Sequence, residues 1–336
     1  MIYNILTTSI IEVDDYLNKS LVNNNIKAID KKYITDLYQS HFIIDDSSID
    51  EYEEYNYYYN KMRFNIDSKT LVLTLIPSYT CNLACAYCLQ GKDKIKNIIT
   101  NENLQKVLKF FKKKIKTDFA EEKIINKIVV RFYGGEPLLH KHILQKFCEE
   151  TYGIALKYKL PIIYQMPMNL TILDDDLIKI IKKYKISIQV TIDGTKNSHD
   201  ARRITKDGKG TYDLIIENLI KIINAGLKKN ITIRINIDEK NIIDAEQCLT
   251  NLRSYSDDIY FGLLTSYVGL NDEYSSLCIE CDKYSDIMTN NLNTLIVKNL
   301  NEPPMMFGKG SPCSLCSENK FFIDDTLNVI VVRLSC

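Results

Sequence analysis

With 336 residues, 45% of them hydrophobic and 26% charged, the chain has the composition of an ordinary globular protein long enough to bury a sizeable core. Its 43 Lys and Arg balance its 43 Asp and Glu, which excludes a global field that would draw it to nucleic acid or to an anionic membrane. No apolar run approaches the ~20 residues of a membrane span and residues 1–5 carry no secretory pattern, so a cytoplasmic protein without membrane or nucleic-acid partners is expected.

Residues 1–68 form a segment with its own apolar pattern. Ser48-Ile49-Asp50-Glu51 reads as a capping box opening a helix that carries Tyr52, Tyr55 and Tyr59. That stretch is either a half-buried amphipathic helix or an acidic, tyrosine-rich surface for docking a peptide. From residue 71 strands and helices alternate. Strands are expected over 71–76, 128–133, 162–165, 186–192, 231–237 and 259–264. The intervening helices run through Leu104 to Phe111, from Pro137 past Phe147, from about 174, over 212–225 and over 244–254. Strands this rich in Ile and Val suit a parallel sheet covered on both faces. Six βα units make an α/β fold, a partial (β/α)6 TIM-like barrel over 69–270. A small N-terminal α/β or winged-helix-like segment precedes it and a short Cys-containing extension over 271–336 follows. In that extension Pro303-Pro304 breaks the pattern, and 321–323 and 329–332 flank a turn at 324–328 as a hairpin.

In a reducing compartment clustered cysteines serve metals or catalysis rather than disulfides. Isolated Cys148 and Cys248 lie in helical patterns and read as small buried hydrophobes. Cys81, Cys85 and Cys88 differ, because three thiols fall within eight residues directly after the first strand. A structural zinc site takes four ligands. Three thiols on a cubane of four irons leave one iron open, as a catalytic metal site requires. After the second strand, Gly134-Gly135-Glu136-Pro137 is either a close backbone approach to a ligand or a tight turn with Pro137 opening a helix. The fourth strand runs into Thr191-Ile192-Asp193-Gly194 and then His199-Asp200-Ala201-Arg202-Arg203. Asp193 is either a turn-former or a base near the reacting centre, and His199 reads as a loop residue bonded to backbone. These motifs all follow strands of the barrel, at the rim where such barrels carry active sites.

The C-x3-C-x-Tyr-Cys spacing resembles the signature of the radical S-adenosylmethionine (radical SAM) superfamily. The resemblance implies a 4Fe–4S cluster on Cys81, Cys85 and Cys88 whose open iron chelates S-adenosyl-L-methionine. Reductive cleavage then yields a 5′-deoxyadenosyl radical that abstracts a substrate hydrogen. It places Tyr87 near the adenine, and Gly134, Gly135 and Glu136 at the methionyl amino group. Thr191 falls to the ribose or carboxylate and Arg203 to the carboxylate, which suits a guanidinium fork. Asn169 is carried over although Met168-Asn169-Leu170 stands where the family shows T-N-G. Asp193 is the catalytic candidate.

Cys278-x2-Cys281, Cys313-x2-Cys316 and Cys336 suit a zinc ribbon or an iron–sulfur site. Beside such a core, Cys313, Cys316 and Cys336 with the hairpin resemble the start of a SPASM or twitch domain with a second iron–sulfur cluster. Asn328 stands near its usual Gly, and its later cysteine stretch is absent, so 271–336 reads as a shortened auxiliary region or a fragment. Residues 1–68 resemble the leader-recognition region of SPASM peptide maturases. The expected activity is oxidoreductase-type modification of a ribosomally synthesised peptide (RiPP), fed by a low-potential flavodoxin- or ferredoxin-type electron donor. The alternatives are a sulfatase-maturase-like modification of a protein Cys or Ser, and an inactive peptide-binding remnant.

Overall fold

Stretches of Ile, Val and Leu bounded by polar turns form the strands, and a computed structural model shows how they assemble. It describes residues 69–88, 97–121, 125–237, 241–255, 260–265 and 320–330, with parts of the N-terminal segment between residues 2 and 53. In that segment β1 (Ile2–Tyr3) pairs antiparallel with β2 (Ile10–Ile11). Helices Asp15–Val22 and Lys31–Gln39 follow, each opened by an aspartate, Asp14 and Asp30, whose carboxylate caps free backbone N–H groups. Leu17, Ile29 and Leu37 form its small core. This segment and the large sheet belong to two separate compact units.

The sheet contains β3 (Thr70–Leu75), β4 (Lys127–Phe132), β5 (Ile162–Met168), β6 (Ser187–Thr191), β7 (Ile231–Ile237) and β8 (Tyr260–Thr265), all parallel and adjacent in chain order. On one face Leu71, Leu73, Ile128, Val130, Phe132, Tyr164, Ile188, Val190, Ile233 and Ile235 are at most 1% exposed. The helices cover this face: Phe132 meets Phe147 edge-on at 6.1 Å, and Tyr164 meets Tyr184 at 5.8 Å. Each such side chain taken from water contributes about 1.5–3 kcal/mol. The opposite face carries Arg131, Gln165, Gln189, Thr191 and Arg234, all half-buried. The expectation of cover on both faces holds at β3, where Thr70, Val72 and Thr74 are buried as well, and gives way to half-buried polar groups across the later strands. Helices on one side and polar groups on the other are the pattern of a barrel wall, whose inner face is concave.

Helix Asn101–Ile115 starts at Thr100, which caps Asn103 N at 3.1 Å, and helix Asp175–Tyr184 starts at Asp174, which caps Leu177 N at 2.8 Å. Helices Lys141–Tyr158 and Asp175–Tyr184 end on left-handed Lys159 and Lys185. Cys148 and Cys248 are fully buried free thiols in their helices, the apolar role read from their pattern. Among the described residues no helix is long and apolar enough to cross a membrane.

The C-terminal hairpin, β9 (Lys320–Ile323) and β10 (Val329–Ile330), adds to the sheet rather than standing apart. β9 runs parallel to β3, with Leu73 opposite Phe321, giving the order β10-β9-β3-β4-β5-β6-β7-β8. Its turn departs from expectation at one residue: the left-handed position is Leu327, with φ 67°, and not Asn328. Asp324 accounts for this. Its Oδ1 accepts from the backbone N–H of Thr326 and of Asn328, each at 2.9 Å, and holds the turn through side-chain bonds. The Ser48–Tyr59 helix and Cys278, Cys281, Cys313, Cys316 and Cys336 lie outside the described residues.

Candidate active site

Beyond β3 the chain turns at Pro77 and enters the cysteine loop, which neighbouring loops grip on both sides. On one side Gly135 N donates to Ser78 O at 3.1 Å and Glu136 N to Thr80 O at 2.8 Å. A Cβ on Gly135 would stand 1.9 Å from Thr80 O, and one on Gly134 2.3 Å from Ser78 O, with Gly134 at φ +123°. Both glycines therefore serve a backbone-to-backbone approach between two rim loops. On the other side Ala84 N donates to Ile204 O at 2.8 Å and Ala86 N to Arg202 O at 2.9 Å. Cys81 is buried, and Cys85 and Cys88 are half-buried. Burial pushes the Cys85 thiol up, with the Arg203 guanidinium pulling the other way. Among the described residues no three Cys, His, Asp or Glu side chains converge as they would on a single ion. Three thiols on one clamped loop could hold three corners of a cubane, each on its own iron.

Asn169 and Glu136 brace this loop from behind. The Asn169 amide nitrogen lies 3.9 Å from Cys81 Sγ and donates to Asn82 Oδ1 at 2.9 Å. Asn169 Oδ1 accepts from both Thr171 N and Thr171 Oγ1. Asn169 N donates to Glu136 Oε2 at 2.7 Å, and Leu138 N to Glu136 Oε1 at 3.0 Å. Glu136 is 2% exposed, and burial pushes its carboxyl up to about 7 against those two N–H donors.

The residue after Asn169 shows why the departure from T-N-G is tolerated. Leu170 takes a left-handed backbone, φ 57°, and its side chain is fully buried. The backbone costs about 1–2 kcal/mol in a non-glycine residue. Removing a buried leucine costs about 2–5 kcal/mol. Packing outweighs strain, so Leu170→Gly should lower stability by about 1–3 kcal/mol, read from urea unfolding.

Tyr87 is the hub of the opposite wall. Its hydroxyl accepts from Arg203 Nη1 at 2.7 Å and Asn236 Nδ2 at 3.0 Å, and donates to Asp193 Oδ2. Burial pushes the phenol above its ordinary value, so it keeps the proton it donates. Asp193 Oδ1 accepts from Asn236 N at 2.9 Å, and Asp193 is fully buried. The Arg202 guanidinium lies over the Tyr87 ring, 5.0 Å from its centroid. His199 is enclosed: Nδ1 accepts from Asp193 N at 3.2 Å, and Nε2 meets Thr211 Oγ1 at 3.1 Å. Thr211 Oγ1 in turn donates to Arg203 O, so His199 donates from Nε2; burial, with Arg203 and Arg202 beside it, lowers its pKa to about 3. Arg203 is 7% exposed and its Nε has no hydrogen-bond partner. An orphaned guanidinium donor beside the cysteine loop fits a carboxylate ligand. Thr191 ends β6 on the concave face, in register with Arg234.

Asn236, Arg202 and Asn241, whose Nδ2 donates to Asp193 O and Asn236 O, escape sequence reasoning. The available signal is Asn236 itself, an amide in the otherwise apolar end of β7.

The sequence profile of the Radical SAM superfamily matches residues 75–249. A cysteine-type anaerobic sulfatase-maturating enzyme of Clostridium novyi (strain NT) is 29% identical over 160 residues, 46% of this chain. The match spans 41% of that enzyme's length. In fold, the chain is similar to native anSMEcpe with bound AdoMet and Kp18Cys peptide, at TM-score 0.61 and 19% identity over 77% of this chain and 73% of that one. It is also similar to Streptococcus suis SuiB bound to S-adenosylmethionine, at TM-score 0.53 and 14% identity, covering 99% and 80%. The family match spans the clamped cysteine loop and the rim loops that brace it, and the chain belongs to the radical SAM superfamily of enzymes.

Proposed function

We propose that Cys81, Cys85 and Cys88 hold a 4Fe–4S cluster and that the enzyme modifies a ribosomally made peptide. The observation that carries this is the three-thiol loop set beside the orphaned Nε of buried Arg203. When bound, the cluster and S-adenosylmethionine supply a 5′-deoxyadenosyl radical for hydrogen abstraction. The chain's own part is to hold and orient. Gly134, Gly135 and Glu136 form the amino-group side of the cradle, Asn169 braces Cys81, and Tyr87, Thr191 and Arg203 line the adenine, ribose and carboxylate side. Residues 1–68 serve as the leader-binding segment, where a cleft beside Tyr33, Asp36 and Ser40 adjoins Ile11 and Leu37. Residues 271–336 serve as a shortened auxiliary region in which Cys313, Cys316 and Cys336 hold a second cluster. Electrons come from a flavodoxin- or ferredoxin-type donor.

The similar structure of anSMEcpe with a bound peptide supports a peptide substrate. The match to a cysteine-type sulfatase-maturating enzyme favours a second reading, oxidation of a Cys or Ser in a protein. A short Cys- or Gly-rich reading frame beside the gene supports the first, and a sulfatase gene the second. Anaerobic, reconstituted protein given S-adenosylmethionine and dithionite should release 5′-deoxyadenosine, and Cys88→Ala should abolish it. Release no greater than that of Cys88→Ala would leave a peptide-binding remnant. About four irons per chain mark the core cluster alone, and about eight an auxiliary one.

A further inference from the structure

Among the described residues, the concave face of the barrel wall carries two cations without counter-charges. Arg131 lies in β4, between Thr74 of β3 and Gln165 of β5 in register. Arg234 lies in β7, two residues before Asn236 and on the same face. Both side chains are half-buried. Each guanidinium is tethered through one nitrogen only: Arg131 Nε donates to Gln165 Oε1 at 2.7 Å, and Arg234 Nε to Asn236 Oδ1 at 2.8 Å. Among the described residues the terminal nitrogens of both have no partner, and they form the edge that grips a carboxylate bidentately.

Among the described residues, no carboxylate pairs with either arginine. The ion pairs there join other residues, mostly lysines on helix surfaces. Two acids at the rim are already committed, Glu136 to two backbone N–H groups and Asp193 to Tyr87 and Asn236. Burial lowers the pKa of Arg131 and no neighbouring anion raises it. Beside it in register, Thr74 Oγ1 is buried without a hydrogen-bond partner. A chain whose overall charge is balanced thus leaves two tethered guanidiniums and an orphaned hydroxyl on one surface, under the rim where the cofactor loops sit. Arg131 and Thr74 stand side by side in register, so one anionic group there satisfies both, and Arg234, three strands away in β7, offers a second such position.

Resting on the reading of the enzyme as a peptide maturase, we propose that this face binds side-chain carboxylates of Asp or Glu residues in the substrate peptide, one at Arg131 and one at Arg234, which act as specificity-determining residues. The carboxylate of S-adenosylmethionine is not the occupant, because the orphaned donor of Arg203 lies at the cysteine loop itself. The enzyme accordingly selects substrates that place an acidic residue near the modified position.

The probes are two fluorescein-labelled peptide pools of equal length. One is randomised over Ala, Ser, Gly, Cys and Glu, the other over Ala, Ser, Gly, Cys and Gln. Each is titrated by anisotropy with reconstituted, AdoMet-loaded protein. The Glu pool should bind about 10- to 100-fold more tightly, the worth of one or two charge-assisted contacts. Arg131→Gln and Arg234→Gln should each remove part of that preference and together most of it, and the Lys variants should keep part of it. AdoMet affinity, measured by equilibrium dialysis, should stay within about twofold. In the wild type, added salt should erode binding of the Glu pool and leave the Gln pool unmoved, a test that stands even if the Gln variants fail to fold. Equal binding of the two pools, a preference that survives both Gln variants, or a parallel loss of AdoMet affinity would each overturn the inference. N-acetylglutamate and N-acetylglutamine separate it from the maturase reading. If neither pool binds but N-acetylglutamate does so in an arginine-dependent way, the carboxylate site stands and the peptide substrate falls.

Discussion

Asp193→Ala should lower stability by about 3–5 kcal/mol, the cost of taking one partner from a buried charged network, and should greatly weaken S-adenosylmethionine binding. The argument is an inventory of lone pairs. The Tyr87 hydroxyl has two, and Arg203 Nη1 and Asn236 Nδ2 occupy them. Its own proton must therefore go to Asp193, whose other oxygen holds the Asn236 backbone. Without the carboxylate, a phenol and a backbone N–H are buried unpaired, and Arg203 loses a neighbouring acid. Asp193→Asn is the sharper variant. Its amide nitrogen would face a hydroxyl that has no free lone pair and a proton to give, so about 1–3 kcal/mol should still be lost. Guanidinium chloride unfolding and equilibrium dialysis of S-adenosylmethionine read both effects. Asp193 is thus a positioning residue for Tyr87. Were it the base suggested by its place after the fourth strand, Asp193→Asn would fold normally, bind S-adenosylmethionine with unchanged affinity and lose only product formation.

The contrast between Asp193 and the cysteine loop shows which features a linear sequence carries. Cys81, Cys85 and Cys88 are legible because ligand type and spacing lie within one turn of chain. The six central strands are legible for a similar reason: burial of one face writes Ile, Val and Leu into each. Asp193 looks like a turn residue or a base until Tyr87, 106 positions earlier, is folded against it. Asn236 joins the same wall from a segment with no motif, and Arg202 from a motif in which only His199 and Arg203 had a reading; their contacts with Tyr87 exist only in the fold. The hairpin at 320–330 was legible as a hairpin, but its parallel pairing with β3 was not, because nothing local specifies a partner so distant in sequence. The polar side of the sheet shows the same limit. Arg131 and Arg234 look like interruptions of apolar strands, and become one surface only when the wall curves.

Glu136 offers a pH signature, and among the described acids only Asp325 is shifted in the same direction. Its carboxyl rises from an ordinary 4.5 to about 7 because burial outweighs the two N–H bonds it accepts. The folded protein then holds this proton more tightly than the unfolded chain does. The resulting stability is full below about pH 4.5, is lost as pH rises through 7, and amounts to roughly 3 kcal/mol. His199 and His140, both with lowered pKa values, work in the opposite direction, gaining stability as pH rises. The quantity to measure is therefore the difference between wild type and Glu136→Gln, in which the histidine contributions cancel. At pH 5 the wild type should be the more stable, because Gln offers one acceptor to two backbone donors and leaves the other N–H facing an amide nitrogen, a loss of about 1–3 kcal/mol. By pH 8 that advantage should have vanished or reversed, since the wild type must then bury a charge and the glutamine need not. Urea unfolding at half-unit steps between pH 5 and 8 decides the matter. A difference that stays flat or grows with pH would mean that the two N–H donors, and not burial, set the charge of Glu136, so that the carboxylate stands ionised against the backbone of Asn169 that braces Cys81.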